Sequence, residues 1–171
     1  MFSQAQILHL MKTEFARARR HGLSLGCIVL QVDRIAQLVD LYGADLRATL
    51  RNTLAKMVRD KTRGADLLGV VNEDRYMLVL PHTALEQSRI VADRLHSMFR
   101  DYEVAVDGRA LDLTLSVGVS ATGQSDAMFF DTLVGQAEAA LEFAGERGGN
   151  RVVSFGETQL LDGGSSDKPE A

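Results

Sequence analysis

The sequence predicts an α/β (α+β) domain, with a central mixed but mostly antiparallel sheet surrounded by helices. Three observations lead there. The chain has 171 residues, 46% of them hydrophobic and 25% charged, which suits one domain with ample material for a core. Short β-branched apolar runs alternate with stretches whose apolar residues recur at helical spacing. Two pairs of those runs are joined by polar, turn-forming residues, which reads as hairpins and therefore as antiparallel pairing.

The elements follow in order. From Phe15 the chain reads as a basic helix (Arg17, Arg19, Arg20) closed by His21-Gly22. Ser24 to Val32 is a β-branched apolar run, read as a buried strand. After Asp33, Leu46, Leu50, Leu54 and Met57 mark an amphipathic helix ending near Arg59. Leu67 to Val71, a polar Asn-Glu-Asp-Arg, and Tyr76 to Pro81 form strand, turn and strand. Thr83 and Glu86 have capping-box spacing and open a helix carrying Leu85, Ala92, Leu95 and Phe99. A hairpin is expected around Asp107-Gly108. Asp131 caps a helix (Leu133, Ala137, Leu141, Ala144) ended by Gly148-Gly149, and Val152 to Phe155 is a last strand. The expected organisation is one domain over 1–155 and a disordered, Gly/Ser-rich tail over 156–171.

Composition removes several function classes. Disorder as the main state does not fit the apolar content. No apolar run approaches the roughly 20 residues of a membrane span. The start lacks the layout of a signal peptide, so a cytoplasmic location is expected. Cys27 alone makes neither an intramolecular disulfide nor a multi-cysteine metal site. Inside its apolar strand it reads as a small buried hydrophobe. A net charge of -4 gives no general attraction to nucleic acid. His9, His21, His82 and His96 lack metal-ligand spacing with one another.

Seven short segments, in order and spacing, resemble the GGDEF domain of diguanylate cyclases. They are Leu23 to Asp33, Asp40 to Gly43 (DLYG), Arg63 to Asp66 (RGAD), Tyr76 to Pro81 (YMLVLP), Val91 to Leu95 (VADRL), Thr114 to Ser120 (TLSVGVS) and Ala140 to Val152. The resemblance runs from about Met11 to Phe155 and implies a fold related to nucleotidyl cyclases. It also implies chemistry in which two GTP molecules, one on each protomer of a dimer, are joined with the help of divalent metal.

The residues that chemistry requires are largely replaced. The first metal carboxylate of the family falls on Gln31, a neutral amide, while the second acid of that motif stays as Asp33. The signature maps to Asn72, Glu73, Asp74, Arg75 and Tyr76. Both glycines are gone, and an arginine reverses the charge at the fourth position. The family's guanine-reading Asn and Asp fall on Val39 and Ala48. Its phosphate-contacting Lys and Arg fall on Gly145 and Gly149, and a family lysine after the first strand falls on Ala36. No cyclase activity, catalytic residue, metal site or cofactor is therefore expected, and Asp33, Glu73 and Asp74 read as strand-end and turn carboxylates.

A second family feature is kept. Many cyclases carry a product-binding Arg-x-x-Asp five residues before the signature, and Arg63-Gly-Ala-Asp66 has that spacing from Asn72. The bare pattern is weak, since Arg109-Ala-Leu-Asp112 also matches; position supplies the specificity. A further family arginine aligns with Arg94. Arginine donates a fork of hydrogen bonds to guanine O6 and N7, and a carboxylate accepts from the base's donors. The resemblance thus implies an inactive receptor binding cyclic di-GMP through Arg63, Asp66 and Arg94 and signalling through a protein partner or homodimer. The alternatives are a nucleotide-independent interaction scaffold and, more weakly, a residual GTP-binding protein or cyclase.

Overall fold

A computed structural model describes residues 1–123 and 129–163 of the chain. Its elements are α1 (Gln4–His21), β1 (Leu25–Val32), α2 (Ile35–Tyr42), α3 (Asp45–Lys61), β2 (Leu67–Val70), β3 (Tyr76–Pro81), α4 (Leu85–Phe99), β4 (Ala105–Val106), β5 (Arg109–Ala110), β6 (Leu115–Ala121), α5 (Phe130–Glu146), β7 (Val152–Ser154) and α6 (Phe155–Gly163). Five strands form one sheet in the order β2-β3-β1-β6-β7. Only the β6–β7 pair is parallel, so the expected mixed, mostly antiparallel sheet is present.

Strand β1 sits at the centre and is covered on both faces, which is why Leu25 to Leu30 is continuously apolar rather than alternating, before Gln31 at its end. Ile28, Leu30 and Val32 face one core with Leu50, Leu54 and Met57 of α3 and Leu95 and Phe99 of α4. Leu25, Cys27 and Val29 face the other, with Ile7 and Met11 of α1 and Leu133 and Leu141 of α5. Helix α5 lies so close to β6 that a Cβ at Gly118 would stand 2.1 Å from the carbonyl oxygen of Ala137, so only glycine fits there.

Local expectations differ from the structure at five places. Helix α1 starts at Gln4, well before Phe15, because Ser3 and Gln6 form a reciprocal capping box. The stretch after Asp33 holds two helices broken at Gly43, where φ is +97°. Thr83 and Glu86 form no capping box: Ala84 is the N-cap of α4, without a side-chain bond, and the Thr83 hydroxyl donates to the Pro81 carbonyl oxygen at 2.8 Å. Asp131 lies inside α5 rather than at its cap, which is Phe129. Asp107 and Gly108 do make a tight turn with positive φ, but it joins the two-residue strands β4 and β5, and β6 belongs to the main sheet.

The expected tail from residue 156 is corrected in its first half. Helix α6 runs to Gly163, and Arg89 of α4 bonds Glu157 in its first turn. Residues 164–171 lie outside the described residues. No helix among the described residues is long and apolar enough to cross a membrane.

Candidate functional site

Two cavities contain several of the residues singled out by sequence: Gln31, Asp33, Arg75, Gly145 and Gly149 in one, Arg63, Asp66 and Arg94 in the other. The first is a cavity of about 860 Å³ between the end of β1, Arg75 at the close of the turn Asn72–Arg75, and the C-terminal part of α5. The turn is closed by its own side chain, since Asn72 Oδ1 accepts from the backbone N–H groups of Asp74 and Arg75, both at 3.0 Å. Arg47 of α3 then ties the turn's acids down. Its Nε donates to Asp74 at 2.9 Å, and its Nη1 stands 3.4 Å from Glu73. These bonds to Asp74, offset in part by desolvation, hold Arg47 above its ordinary pKa.

Arg75 turns the other way. Its Nε–H donates to Gln31 Oε1 at 3.0 Å and its Nη1 to Glu142 Oε1 at 3.2 Å. Asp33 is also committed. It accepts from Thr114 and Ser116 hydroxyls, each at 2.6 Å, and from the backbone N–H of Asn150 at 2.9 Å. Val39 packs against the core beside α3, while Ala36 and Ala48 are exposed and carry no polar group. Gly145 and Gly149 line the cavity as bare backbone. Tyr76 is buried, and its desolvation raises the phenol's pKa.

The second cavity, about 490 Å³, lies between the end of α3, the loop before β2, the β3–α4 loop and one face of α4. Arg63, Asp66 and Arg94 all line it. The Asp66 carboxylate is almost wholly buried, with 1% of its side chain exposed, whereas that of Arg63 is 60% exposed. Asp66 accepts from the Arg63 backbone N–H at 3.1 Å, so the four-residue spacing closes on itself as a turn. Arg63 Nη2 donates to the Pro81 carbonyl oxygen at 3.1 Å and to the Thr83 hydroxyl at 2.6 Å. Burial pushes the Asp66 carboxyl above the usual carboxylate range, opposed by the bonds and charge of Arg63. Gln87, Ile90, Val91 and Arg94 line the α4 side.

A family model described as "Diguanylate cyclase, GGDEF domain" matches residues 1–151. The chain belongs to the GGDEF family. Its relatives include the diguanylate cyclase DosC of Escherichia coli K12, 26% identical over 145 residues, which are 84% of this chain and 31% of DosC. The chain therefore spans less than a third of that relative's length. The crystal structure of the diguanylate cyclase SiaD with its activator SiaC, from Pseudomonas aeruginosa, matches with a TM-score of 0.81 and 29% identity, covering 89% of this chain and 58% of that one. The GGDEF domain of DgcB from Caulobacter crescentus, solved in complex with c-di-GMP, shares the fold at a TM-score of 0.81 and 15% identity, covering 90% and 91% of the two chains.

The GGDEF family's reaction implies divalent metal, which needs anionic oxygen donors free to coordinate. The donors present in the first cavity do not fit that need. Gln31 offers a neutral carbonyl already facing a guanidinium and Asp33 holds three hydrogen-bond donors, while Asp74 and Glu73, outside this cavity, face Arg47. Among the described residues no three His, Cys, Asp or Glu side chains cluster as metal ligands.

Sequence reasoning about this GGDEF domain missed the groups that hold the others in place. Arg47 carried no signal beyond an exposed helical face. Thr83 looked like a helix cap because capping residues and cavity-lining hydroxyls are the same residue types. The carbonyl of Pro81 is backbone, so no residue identity announces it.

Proposed function

We propose that this GGDEF domain is a catalytically silent receptor that binds cyclic di-GMP in the cavity of Arg63, Asp66 and Arg94 and signals through protein contacts. The observation that carries the reading is that these three residues, drawn from a loop and a helix about thirty positions apart, line one cavity of about 490 Å³. The chemistry suits a guanine dinucleotide. Arg63 is anchored by one nitrogen and keeps its exposed edge for a base or phosphate. Asp66 must turn out of its buried pairing with Arg63 to accept from guanine N–H donors. Arg94 adds a second cation to offset two phosphate charges, and Ile90 and Val91 give apolar area to a purine face. That DgcB's GGDEF domain takes c-di-GMP on the same fold supports the choice of ligand. That SiaD is seen with its activator SiaC supports readout through a protein partner or a second copy.

Silence of the first cavity rests on its donors. A guanidinium at Arg75 and an amide at Gln31 stand where the reaction needs carboxylates, and Val39 and Ala48 have no polar atom with which to read guanine. The diguanylate cyclases among the relatives favour a second reading, a working cyclase.

Isothermal titration of cyclic di-GMP into the native chain and into Arg63→Ala tests the receptor. Removing one charged contact costs roughly 1.5–3 kcal/mol, about ten- to a hundredfold in affinity. Micromolar or tighter binding that weakens by that factor in the variant is the expected result; absence of binding to the native chain overturns the reading. Incubation with GTP and magnesium at high protein concentration tests the cyclase, and cyclic di-GMP appearing in that mixture would replace silence with activity.

A further inference from the structure

The short loop between β3 and α4 holds His82 at a φ of +55°, a left-handed conformation that a residue with a Cβ adopts rarely. Its neighbours Pro81 and Thr83 are buried while His82 is exposed. Those same neighbours are the groups that fix Arg63, through the Pro81 carbonyl and the Thr83 hydroxyl. The backbone turn that anchors the arginine therefore also puts the imidazole on the wall of the same cavity.

The charged groups around it are few. Asp60 and Lys61 stand at the end of α3, Arg63 and Asp66 on the next loop, and Arg94 on α4. On its other flank His82 adjoins Glu14 and Arg17 of α1, which pair with each other at 3.1 Å. The cavity thus sets three permanent cations against two carboxylates, one of them, Asp66, already bonded to Arg63. A neutral imidazole leaves that balance alone, and an imidazolium adds one positive charge where an anion is to sit.

Resting on the reading of this cavity as a dinucleotide site, we infer that His82 is a phosphate-contacting residue whose protonation tightens ligand binding. Contact with a phosphate raises the imidazole's affinity for its proton in the complex. The extra binding is therefore present at low pH, where the imidazole is charged, and is lost as pH rises.

Titration of cyclic di-GMP at about pH 6 and about pH 8 reads this directly, with His82→Asn as the variant, because asparagine tolerates the left-handed conformation and does not titrate. The native chain is expected to bind about tenfold more tightly at the lower pH, and the variant to show a ratio near one. A native ratio near one, or a variant that keeps the native ratio, overturns the role of His82 while leaving the receptor intact. Native chain that binds at neither pH overturns the receptor reading itself. The imidazole resonance of His82, followed through pH with and without cyclic di-GMP, gives an independent readout: an upward move of its midpoint on adding ligand is expected, and an unmoved midpoint sinks the inference even if the variant fails to fold.

Discussion

Arg75 donates its Nε–H to Oε1 of Gln31 at 3.0 Å, joining the turn before β3 to the end of β1 across the mouth of the larger cavity. Its other arm reaches Glu142 on α5, so one guanidinium ties three elements together with its own positive charge. The position is thereby neutralised from within the chain, and the two unusual residues explain each other.

Magnesium is accordingly expected to leave the native melting temperature unchanged. The double variant Gln31→Asp/Arg75→Glu removes the internal cation and supplies two carboxylates, so magnesium should raise its melting temperature. Saturation at a hundredfold over Kd corresponds to about 2.7 kcal/mol. A magnesium-dependent rise in the native chain, followed by differential scanning fluorimetry, would falsify the argument from donors.

Two glycines at the family's phosphate-contacting positions should respond in opposite ways to alanine. Gly149 has a φ of +71°, and a Cβ there would lie 2.6 Å from Asp33 Oδ1, so Gly149→Ala both strains the backbone and disturbs the carboxylate held by Thr114, Ser116 and Asn150. A loss of roughly 2–4 kcal/mol is expected in urea denaturation. Gly145 lies within α5 and a Cβ there meets nothing within 4 Å. Gly145→Ala should gain about 0.5–1 kcal/mol from helix propensity. Similar effects at the two positions would show that the clamp on Asp33 is not what holds this loop.

Asp66 has a pH signature of its own. Its folded-state pKa is raised by burial, so between the unfolded value of about 3.9 and the folded value the native state binds more protons than the unfolded one. The carboxyl's contribution to stability is present below the unfolded value and is lost as pH rises through the folded value. Native stability minus that of Asp66→Asn, followed by denaturation at successive pH values, should therefore fall as pH rises through that window and then level off. A difference that climbs through it would mean that Arg63, not burial, dominates.

Arg89 gathers the C-terminal elements. From α4 it donates to Ser154 at 3.0 Å and to the Val152 carbonyl oxygen at 3.2 Å on β7, to Asp93 at 3.2 Å, and to Glu157 on α6. Arg89→Ala should cost roughly 2–3 kcal/mol, leaving the partly buried acceptors unpaired. Arg89→Lys should recover little, since an ammonium cannot fork across two elements. Hydrogen exchange tests the same contact, with faster exchange expected in β7 and α6 and α1 unaffected.

Much of the fold was legible because the information is periodic and local. Apolar runs at Leu25–Leu30 and Tyr76–Pro81 mark strands covered on both faces, and Leu46, Leu50, Leu54 and Met57 mark the inner stripe of α3. Element ends were read less well. Ser3 and Gln6 cap α1 while Thr83, Glu86 and Asp131 cap nothing, because capping depends on which backbone N–H groups the fold leaves without partners. The C-terminal stretch looked like a tail because its composition is polar, yet Glu157 finds Arg89 and Thr158 is buried.

Residue identity along the chain is enough to show which types stand at the family's positions: the amide at Gln31, the reversed charge at Arg75, and the spacing of Arg63 from Asp66. What those side chains touch depends on the folded arrangement. It brought Arg94 to the same cavity as Arg63, set Arg75 against Gln31, surrounded Asp33 with three donors, and turned His82 outward between two buried neighbours. The physical reason is range. A chain's hydrophobic period is set within one or two turns of helix or strand. The direction of a polar side chain, in contrast, is set by partners on elements tens of residues away, which meet only when the two cores close on either side of the sheet.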